Sequence, residues 1–162
     1  THPSTLRKTV SGQAARRYMK TMQGVESLIC RTKDYDRAFK LADSPMLGMK
    51  LCVGCWLEGG DRFGDVLRDI RRFCRDERIL CVHFRNVDSP LPRFEETLAE
   101  DGYGDMYAIM KELVANDCAA VISIDHPFRG NEELGGRTVN FAYPTGFMKG
   151  LMWAAEKELG KR

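Results

Sequence analysis

The sequence has no apolar run long enough to cross a membrane. Its longest apolar stretches, such as "AAVISI" at residues 119–124, are far shorter than the ~20 residues that a transmembrane helix needs. The N-terminus also lacks the charged segment followed by an apolar segment that is typical of a secretory signal. We therefore expect a soluble protein that makes no contact with a membrane.

An excess of charge of one sign is missing as well. The 25 lysine and arginine residues nearly balance the 23 aspartate and glutamate residues, and the formal net charge is +2. A protein built around nucleic-acid phosphates would carry a strong basic excess. The charges in "RDIRRFCRDER" are more typical of a solvated helix face, so no nucleic-acid partner is expected.

Internal repeats, low-complexity tracts and linker-like segments are also absent. At 162 residues the chain has the length of one domain with a core of its own. The six cysteines are spread over a chain too long for a small disulfide scaffold, and three of them lie in apolar runs. This cysteine usage favours a reducing compartment, and we expect the protein in the cytoplasm.

Three short apolar runs predict strands that are covered on both faces. The runs at residues 49–53, 79–84 and 119–125 are rich in Val, Ile and Leu and are continuous rather than alternating. Apolar residues at intervals of three and four predict helices between them. These residues are Phe63, Val66, Leu67, Ile70 and Phe73 in the first helix and Met106, Ile109, Met110 and Leu113 in the second. Further helices are predicted over residues 11–24, 33–43 and 146–160.

Strands and helices that alternate in this way are typical of parallel βα units, in which ligands bind at the carboxyl ends of the strands. Cys52, His83 and Asp125 each stand at the end of one apolar run. A thiolate, an imidazole and a carboxylate at one edge of a sheet predict a metal site. The alternatives for single residues are a buried structural cysteine, a hydrogen-bonded histidine and a helix-capping aspartate. A redox or zinc motif at Cys52-x-x-Cys55 is a further alternative, although a structural zinc site would need a second such pair.

His2 is a fourth candidate ligand in an unusual position. A ligand at a strand end needs a strand before it, and here only Thr1 precedes. Three parallel strands also cannot close a barrel and would leave unpaired edges. We therefore expect the native polypeptide to contain a preceding strand and several preceding βα units.

Six sequence blocks resemble the mannonate dehydratase family, in the order that the family has them. The blocks are "GVESLICRTKDYDRAFKLADSP", "CVGCWLEGG", "VHFRNV", "PRFEETLAEDGYGDMYAIMK", "DH" and "AYPTGFMKGL". The resemblance runs from about His2 to the last predicted helix. It implies an α/β fold in which parallel βα units form the C-terminal part of a xylose isomerase-like TIM (β/α)8 barrel. Residues 1–162 would then be a single partial barrel domain without the barrel's N-terminal half.

The resemblance also implies a function and a set of site residues. The family consists of carbon–oxygen lyases that dehydrate D-mannonate to 2-keto-3-deoxy-D-gluconate in glucuronate catabolism. The reaction uses a divalent metal, usually Mn2+, and Fe2+, Co2+ and Mg2+ are the alternatives. Carried over by motif, the metal ligands are His2, Cys52, His83 and Asp125. The full-length form is expected to be a homo-oligomer that takes a small sugar acid as substrate.

Three further residues are predicted to take part in the reaction. Arg85 would clamp the anionic substrate, His126 would act as acid or base, and Tyr143 is the nearest counterpart of a catalytic tyrosine. Two alternatives remain open at this point: a metal-dependent sugar isomerase or epimerase on a similar barrel, and a catalytically incomplete fragment.

Overall fold

The computed structural model describes residues 21–22, 25–26, 29–126 and 136–162. The helices are α1 (Thr32–Ala42), α2 (Val53–Gly59), α3 (Val66–Arg75), α4 (Met106–Ala115) and α5 (Gly136–Glu158), with a 3-10 turn at Gly60–Arg62. The strands are β1 (Thr21–Met22), β2 (Val25–Glu26), β3 (Met49–Cys52), β4 (Ile79–His83), β5 (Asn86–Val87), β6 (Glu96–Thr97) and β7 (Val121–Ser123).

The three predicted apolar runs form one parallel sheet in the order β3-β4-β7. Cys52 pairs with His83, and His83 pairs with Ser123, so the carboxyl ends of the three strands lie level with one another. Helices connect each strand to the next. The prediction of parallel βα units is therefore confirmed, and the α/β fold is that of a partial TIM-barrel-like structure.

Helices α3 and α4 begin and end in the same way. Each starts after an aspartate whose side chain accepts a hydrogen bond from a backbone N–H in the first turn, Asp65 from Arg68 and Asp105 from Ala108, both at 2.9 Å. Two residues after the last residue of each helix, the chain adopts a positive φ, at Glu77 (52°) and at Asp117 (48°). This turn satisfies the last carbonyl groups and directs the chain into the next strand, β4 or β7.

An aromatic cluster fixes α2 directly behind the end of β3. Trp56 of α2 is 1% exposed, stacks on Tyr35 with 5.8 Å between ring centroids, and meets the edge of Phe63. Its indole N–H donates to the buried carboxylate of Asp69 at 2.9 Å, which also accepts from the hydroxyl of Thr32. Because α2 begins at the residue after Cys52, this packing also holds the end of β3 in place.

The structure differs from the sequence prediction at several elements. Val53 is the first residue of α2 and not the last residue of a strand, and the short ribbon of β5 and β6 was not predicted. Helix α5 begins at Gly136, ten residues before the predicted start, and continues through Pro144. The helix predicted over residues 11–24 lies mostly outside the described residues, and its residues Thr21–Met22 form a strand.

Candidate metal centre

Side chains from three consecutive βα units meet at the carboxyl edge of the parallel sheet. Cys52 ends β3, His83 ends β4, and Asp125 lies two residues after β7. Each offers one potential ligand atom, and these atoms all lie within 4.8 Å of one another. Cys52 is 6% exposed, whereas the side chains of His83 and Asp125 are 18% and 19% exposed. The cluster is therefore mostly buried but reachable from solvent.

The polar atoms of Cys52, His83 and Asp125 are better placed to bind a shared cation than to form hydrogen bonds with one another. Nδ1 of His83 lies 2.6 Å from Oδ1 of Asp125, but it is buried and has no partner with hydrogen-bond geometry among the described residues. Sγ of Cys52 lies 3.7 Å from Oδ2 of the same carboxylate. One sulfur, one nitrogen and one oxygen donor at this spacing suit a divalent transition metal.

The ionisation of the cluster also suits metal binding. Burial alone would raise the pKa of Asp125, but Arg85 and His83 outweigh it and hold the pKa below its ordinary value. The pKa of the Cys52 thiol is lowered, mainly by a hydrogen bond from the Cys55 side chain and also by the charge of Arg85, although burial opposes this. Carboxylate and thiolate are the forms that metals bind.

Arg85 lies behind the cluster, at the centre of a buried group of carboxylates. Its Nε donates to Oδ2 of Asp125 at 2.9 Å, and its Nη2 donates to Glu58. Its Nη1 lies 3.4 Å from Oε1 of Glu96. The side chains of Glu58 and Glu96 are 0% and 1% exposed. Arg85 is thus surrounded by protein carboxylates, and the sequence prediction that it clamps a substrate anion stays a prediction.

The absence of a side chain at Gly54 of α2 makes room for this arginine. A Cβ added to Gly54 would lie 2.4 Å from Cζ of Arg85. Any larger residue at position 54 would force the guanidinium group to move. The glycine of the Cys52-x-Gly54 sequence therefore has a local role, because it lets Arg85 reach Glu58 and Asp125.

His126 follows Asp125 and contacts the same buried carboxylates. Its Nε2 lies 3.0 Å from Oε2 of Glu96 and 4.0 Å from Oδ2 of Asp125. Its Nδ1 has no hydrogen-bond partner among the described residues. The antiparallel pairing of β5 with β6 places Glu96 opposite Val87, and so brings it next to both Arg85 and His126. The imidazole is 30% exposed, which leaves it open to a ligand.

Asn86, the second polar residue after β4, has a structural role. It is 0% exposed, and its amide donates to the carbonyl groups of Ala99 and Gly104 at 2.8 and 3.0 Å. Its carbonyl oxygen accepts from the backbone N–H of Gly104 at 3.1 Å. These bonds hold the loop that follows β6.

Two residues from the sequence prediction do not join the described cluster. His2 lies outside the described residues. Tyr143 lies on α5 and is 50% exposed, and its hydroxyl donates to Glu100. Its predicted catalytic role stays a prediction.

The sequence prediction missed Glu58 and Glu96. One signal for Glu58 was present, because it follows the buried residues Val53 to Leu57 at a position where a charge needs a partner. Glu96 gave no such signal, because its partners depend on the unpredicted ribbon of β5 and β6.

The family model described as D-mannonate dehydratase (UxuA) matches residues 19–160. The chain belongs to this family. The resemblance found in the sequence blocks is therefore confirmed. No helix in the described part of the chain is long and apolar enough to span a membrane.

Individual mannonate dehydratases are identical to the chain at about a third of the aligned positions. The enzyme of Streptococcus equi subsp. zooepidemicus is 34% identical over 105 residues, which is 64% of this chain and 28% of the relative. The enzyme of Lactococcus lactis subsp. cremoris is 30% identical over 111 residues, 65% of this chain and 30% of the relative. The chain thus spans less than a third of the length of these curated relatives.

A solved structure of the same family has the same fold. The crystal structure of mannonate dehydratase from Streptococcus suis serotype 2 superimposes with a TM-score of 0.72 at 27% sequence identity. The match covers 86% of this chain and 41% of that chain.

Proposed function

We propose that this chain carries metal-binding and acid–base residues of a hydro-lyase that converts D-mannonate to 2-keto-3-deoxy-D-gluconate and water. The observation that carries the proposal is the meeting of Cys52, His83 and Asp125, from three strands, with ligand atoms within 4.8 Å of one another. Membership of the D-mannonate dehydratase family supplies the reaction. His2 is proposed as a fourth ligand on the basis of its sequence motif alone.

A divalent metal at this centre, which we propose to be Mn2+, would stabilise the negative charge that develops on the substrate's carboxylate as the neighbouring proton is removed. Cys52, His83 and Asp125 would hold it. A donor set of sulfur, nitrogen and oxygen also suits the related ions Fe2+ and Co2+. It is less suited to Mg2+, which prefers oxygen ligands.

Arg85 would act through Asp125. With its nitrogens directed at Asp125, Glu58 and Glu96, the guanidinium group sets the orientation of the Asp125 carboxylate and keeps it ionised. Such contacts behind a metal ligand tune both its geometry and its affinity for metal. The predicted contact of Arg85 with the substrate anion is kept as a second proposed role.

His126 would carry the proton. Dehydration removes the proton beside the substrate's carboxylate and transfers a proton to the departing hydroxyl group, so the site needs a group that can both accept and donate. Nε2 of His126 lies 3.0 Å from Oε2 of Glu96, and the partly exposed imidazole would exchange the proton with the substrate. The buried charge of Glu96 would stabilise the imidazolium that forms. Tyr143 is kept as a second proton donor on the resemblance alone.

Three properties of the protein in the cell complete the proposal. Cys52, Cys74, Cys81 and Cys118 are free thiols, which agrees with a reducing cytoplasm. A sugar acid is the proposed small-molecule substrate, and neither nucleic acid nor membrane is a proposed partner. Self-association into a homo-oligomer remains a prediction, which analytical ultracentrifugation would test.

The proposal is tested by measuring metal binding and product formation together. The purified chain, loaded with Mn2+, is incubated with D-mannonate, and the 2-keto acid product is identified by mass spectrometry as substrate minus one water. We expect Cys52→Ser to lose bound Mn2+, whereas Cys81→Ser, a matched change on β4, should retain it. A Cys52→Ser variant that binds Mn2+ normally would overturn the ligand assignment.

The product distinguishes the proposed reaction from its alternatives. A product of unchanged mass would indicate the isomerase or epimerase instead of the lyase. A chain that binds metal through Cys52 but forms no product would indicate a catalytically incomplete fragment, while the metal centre itself would stand.

A further inference from the structure

Ser123 lies at the carboxyl edge of the sheet, and the proposed reaction gives it no role. It is the last residue of β7 and pairs with His83, which in turn pairs with Cys52. The three residues form one row across the sheet, in which neighbouring backbones are about 4.8 Å apart. Two members of this row are proposed metal ligands, and the third is a serine.

The side chains of this row project from the same face of the sheet. The ligand atoms of Cys52 and His83 lie within 4.8 Å of each other, so these two side chains share a face. Residues that pair directly in a parallel sheet point to the same side, so Ser123 shares it as well. The preceding row contains Leu51 and Val82, which are 0% exposed and belong to the hydrophobic core. The alternation of side chains therefore directs the Ser123 hydroxyl away from the core, toward the metal cluster.

A ligand can reach this face of the sheet. Ser123 itself is half-buried. Two residues earlier on each strand, the same face carries Lys50 and Val121, and both are exposed. A substrate that binds beside Cys52 and His83 therefore has access to the serine as well.

The Ser123 hydroxyl is also available for a hydrogen bond. Its backbone carbonyl accepts from the N–H of Phe84 at 2.8 Å, but its side chain makes no hydrogen bond to any residue that the structure describes. The neighbouring polar residues differ in this respect, because Arg85 and Asn86 donate to protein groups. The serine hydroxyl thus keeps both its donor and its acceptor capacity for a ligand.

We propose that the hydroxyl of Ser123 forms a hydrogen bond with a hydroxyl group of the sugar acid bound at the metal centre. Ser123 would then be a residue that determines specificity for polyhydroxylated acids. A hydroxyl is a better partner than the substrate's carboxylate, because Ser123 is uncharged and the carboxylate of Asp125, two residues later, repels a second anion. This inference rests on the proposed lyase function.

Binding of D-mannonate to the Mn2+-loaded chain tests the proposal. Isothermal titration calorimetry is done in a His126→Asn background, which lacks the proposed proton carrier, so that the substrate stays intact. We expect Ser123→Ala to weaken D-mannonate binding by about 2- to 10-fold, as for the loss of one neutral hydrogen bond. Ser123→Thr keeps the hydroxyl and should retain most of the affinity. Ser44→Ala, which removes a half-buried serine from the loop before β3, should bind normally.

Analogues of D-mannonate that each lack one hydroxyl group identify the partner of Ser123. One analogue should bind the chain with Ser123 more weakly than D-mannonate does. Ser123→Ala should cause no further loss with this analogue, because both changes remove the same hydrogen bond. Mn2+ affinity and the free energy of unfolding should stay unchanged in Ser123→Ala, which separates substrate binding from a structural role.

The outcomes distinguish this inference from the proposed function. Equal D-mannonate affinities with and without Ser123→Ala would overturn the role of Ser123 and leave the proposed lyase standing. The same conclusion would follow if Ser123→Ala lowered Mn2+ affinity, or if its effect added to that of every analogue. A Mn2+-loaded chain with Ser123 that binds no D-mannonate would overturn the proposed function, and the role of Ser123 with it.

Discussion

Arg85 donates a hydrogen bond of 2.9 Å from Nε to Oδ2 of Asp125, on the side of that carboxylate that does not face His83. One oxygen of the carboxylate is thus held by a buried arginine, and the other lies beside His83 in the candidate metal centre. The guanidinium group is held in turn by the two buried glutamates, Glu58 and Glu96. The geometry of the metal centre and its affinity for metal therefore depend on Arg85, Glu58 and Glu96, which are not proposed as ligands.

Arg85→Lys tests this dependence. Lysine keeps the positive charge but loses the planar group that contacts three carboxylates at once. We expect Mn2+ affinity to fall by ~10- to 100-fold, as for other partners of metal ligands. Isothermal titration calorimetry measures it, with Arg71→Lys on α3 as the control. Equal affinities for the two variants would mean that Asp125 needs no support from Arg85.

Gly54→Ala tests the same contact from the side of α2. The added Cβ would lie 2.4 Å from Cζ of Arg85, so the guanidinium group must move away from its partners. We expect a loss of ~1–3 kcal/mol in the free energy of unfolding, together with weaker Mn2+ binding.

Gly146→Ala is the matched control for this substitution. Position 146 lies inside α5, and a Cβ there meets no atom within 4 Å. Alanine should therefore stabilise the helix by ~0.5–1 kcal/mol. Urea unfolding of both variants provides the comparison, and a neutral effect of Gly54→Ala would contradict the packing argument.

Glu96→Gln tests the proposed role of the buried carboxylate beside His126. The amide keeps the shape but removes the negative charge 3.0 Å from Nε2. In a preparation that turns over D-mannonate, kcat should fall by ~100-fold, since acid–base groups contribute about that much. Mn2+ binding should weaken much less than in Arg85→Lys, because Arg85 keeps its contacts with Asp125 and Glu58. Glu95→Gln, one residue earlier, should leave kcat unchanged; a similar loss there would remove the special role of Glu96.

The Arg71–Glu112 ion pair should make stability depend on pH. Hydrogen bonds from Arg71 lower the pKa of Glu112 below its unfolded value of about 4.3. The stabilisation is therefore present above about pH 4.3 and is lost as the pH falls through the lower, folded pKa. Glu112→Gln should be less stable than the wild type at pH 7, and the difference should shrink toward pH 3. Urea unfolding at the two pH values measures it, and a constant difference would contradict the linkage.

The sheet and the three ligand candidates could be predicted from the sequence for simple reasons. Continuous runs of Val, Ile and Leu indicate strands covered on both faces, and parallel strands place their carboxyl ends at one edge. Cys52, His83 and Asp125 are the chemically distinctive residues at those ends. Helix α5 was harder to delimit, because the glycines and Pro144 near its start are typical of a loop.

The sequence by itself determined the order of the βα units and the residues at their ends, because both follow from local periodicity and from the direction of parallel strands. Only the tertiary structure brings Arg85 into contact with Glu58, Glu96 and Asp125. A buried charge takes its partners from segments brought together by packing, 40 residues apart in the case of Arg85 and Asp125. No local pattern records such a pairing, since it depends on which surfaces remain close once the apolar faces of the helices are buried against the sheet.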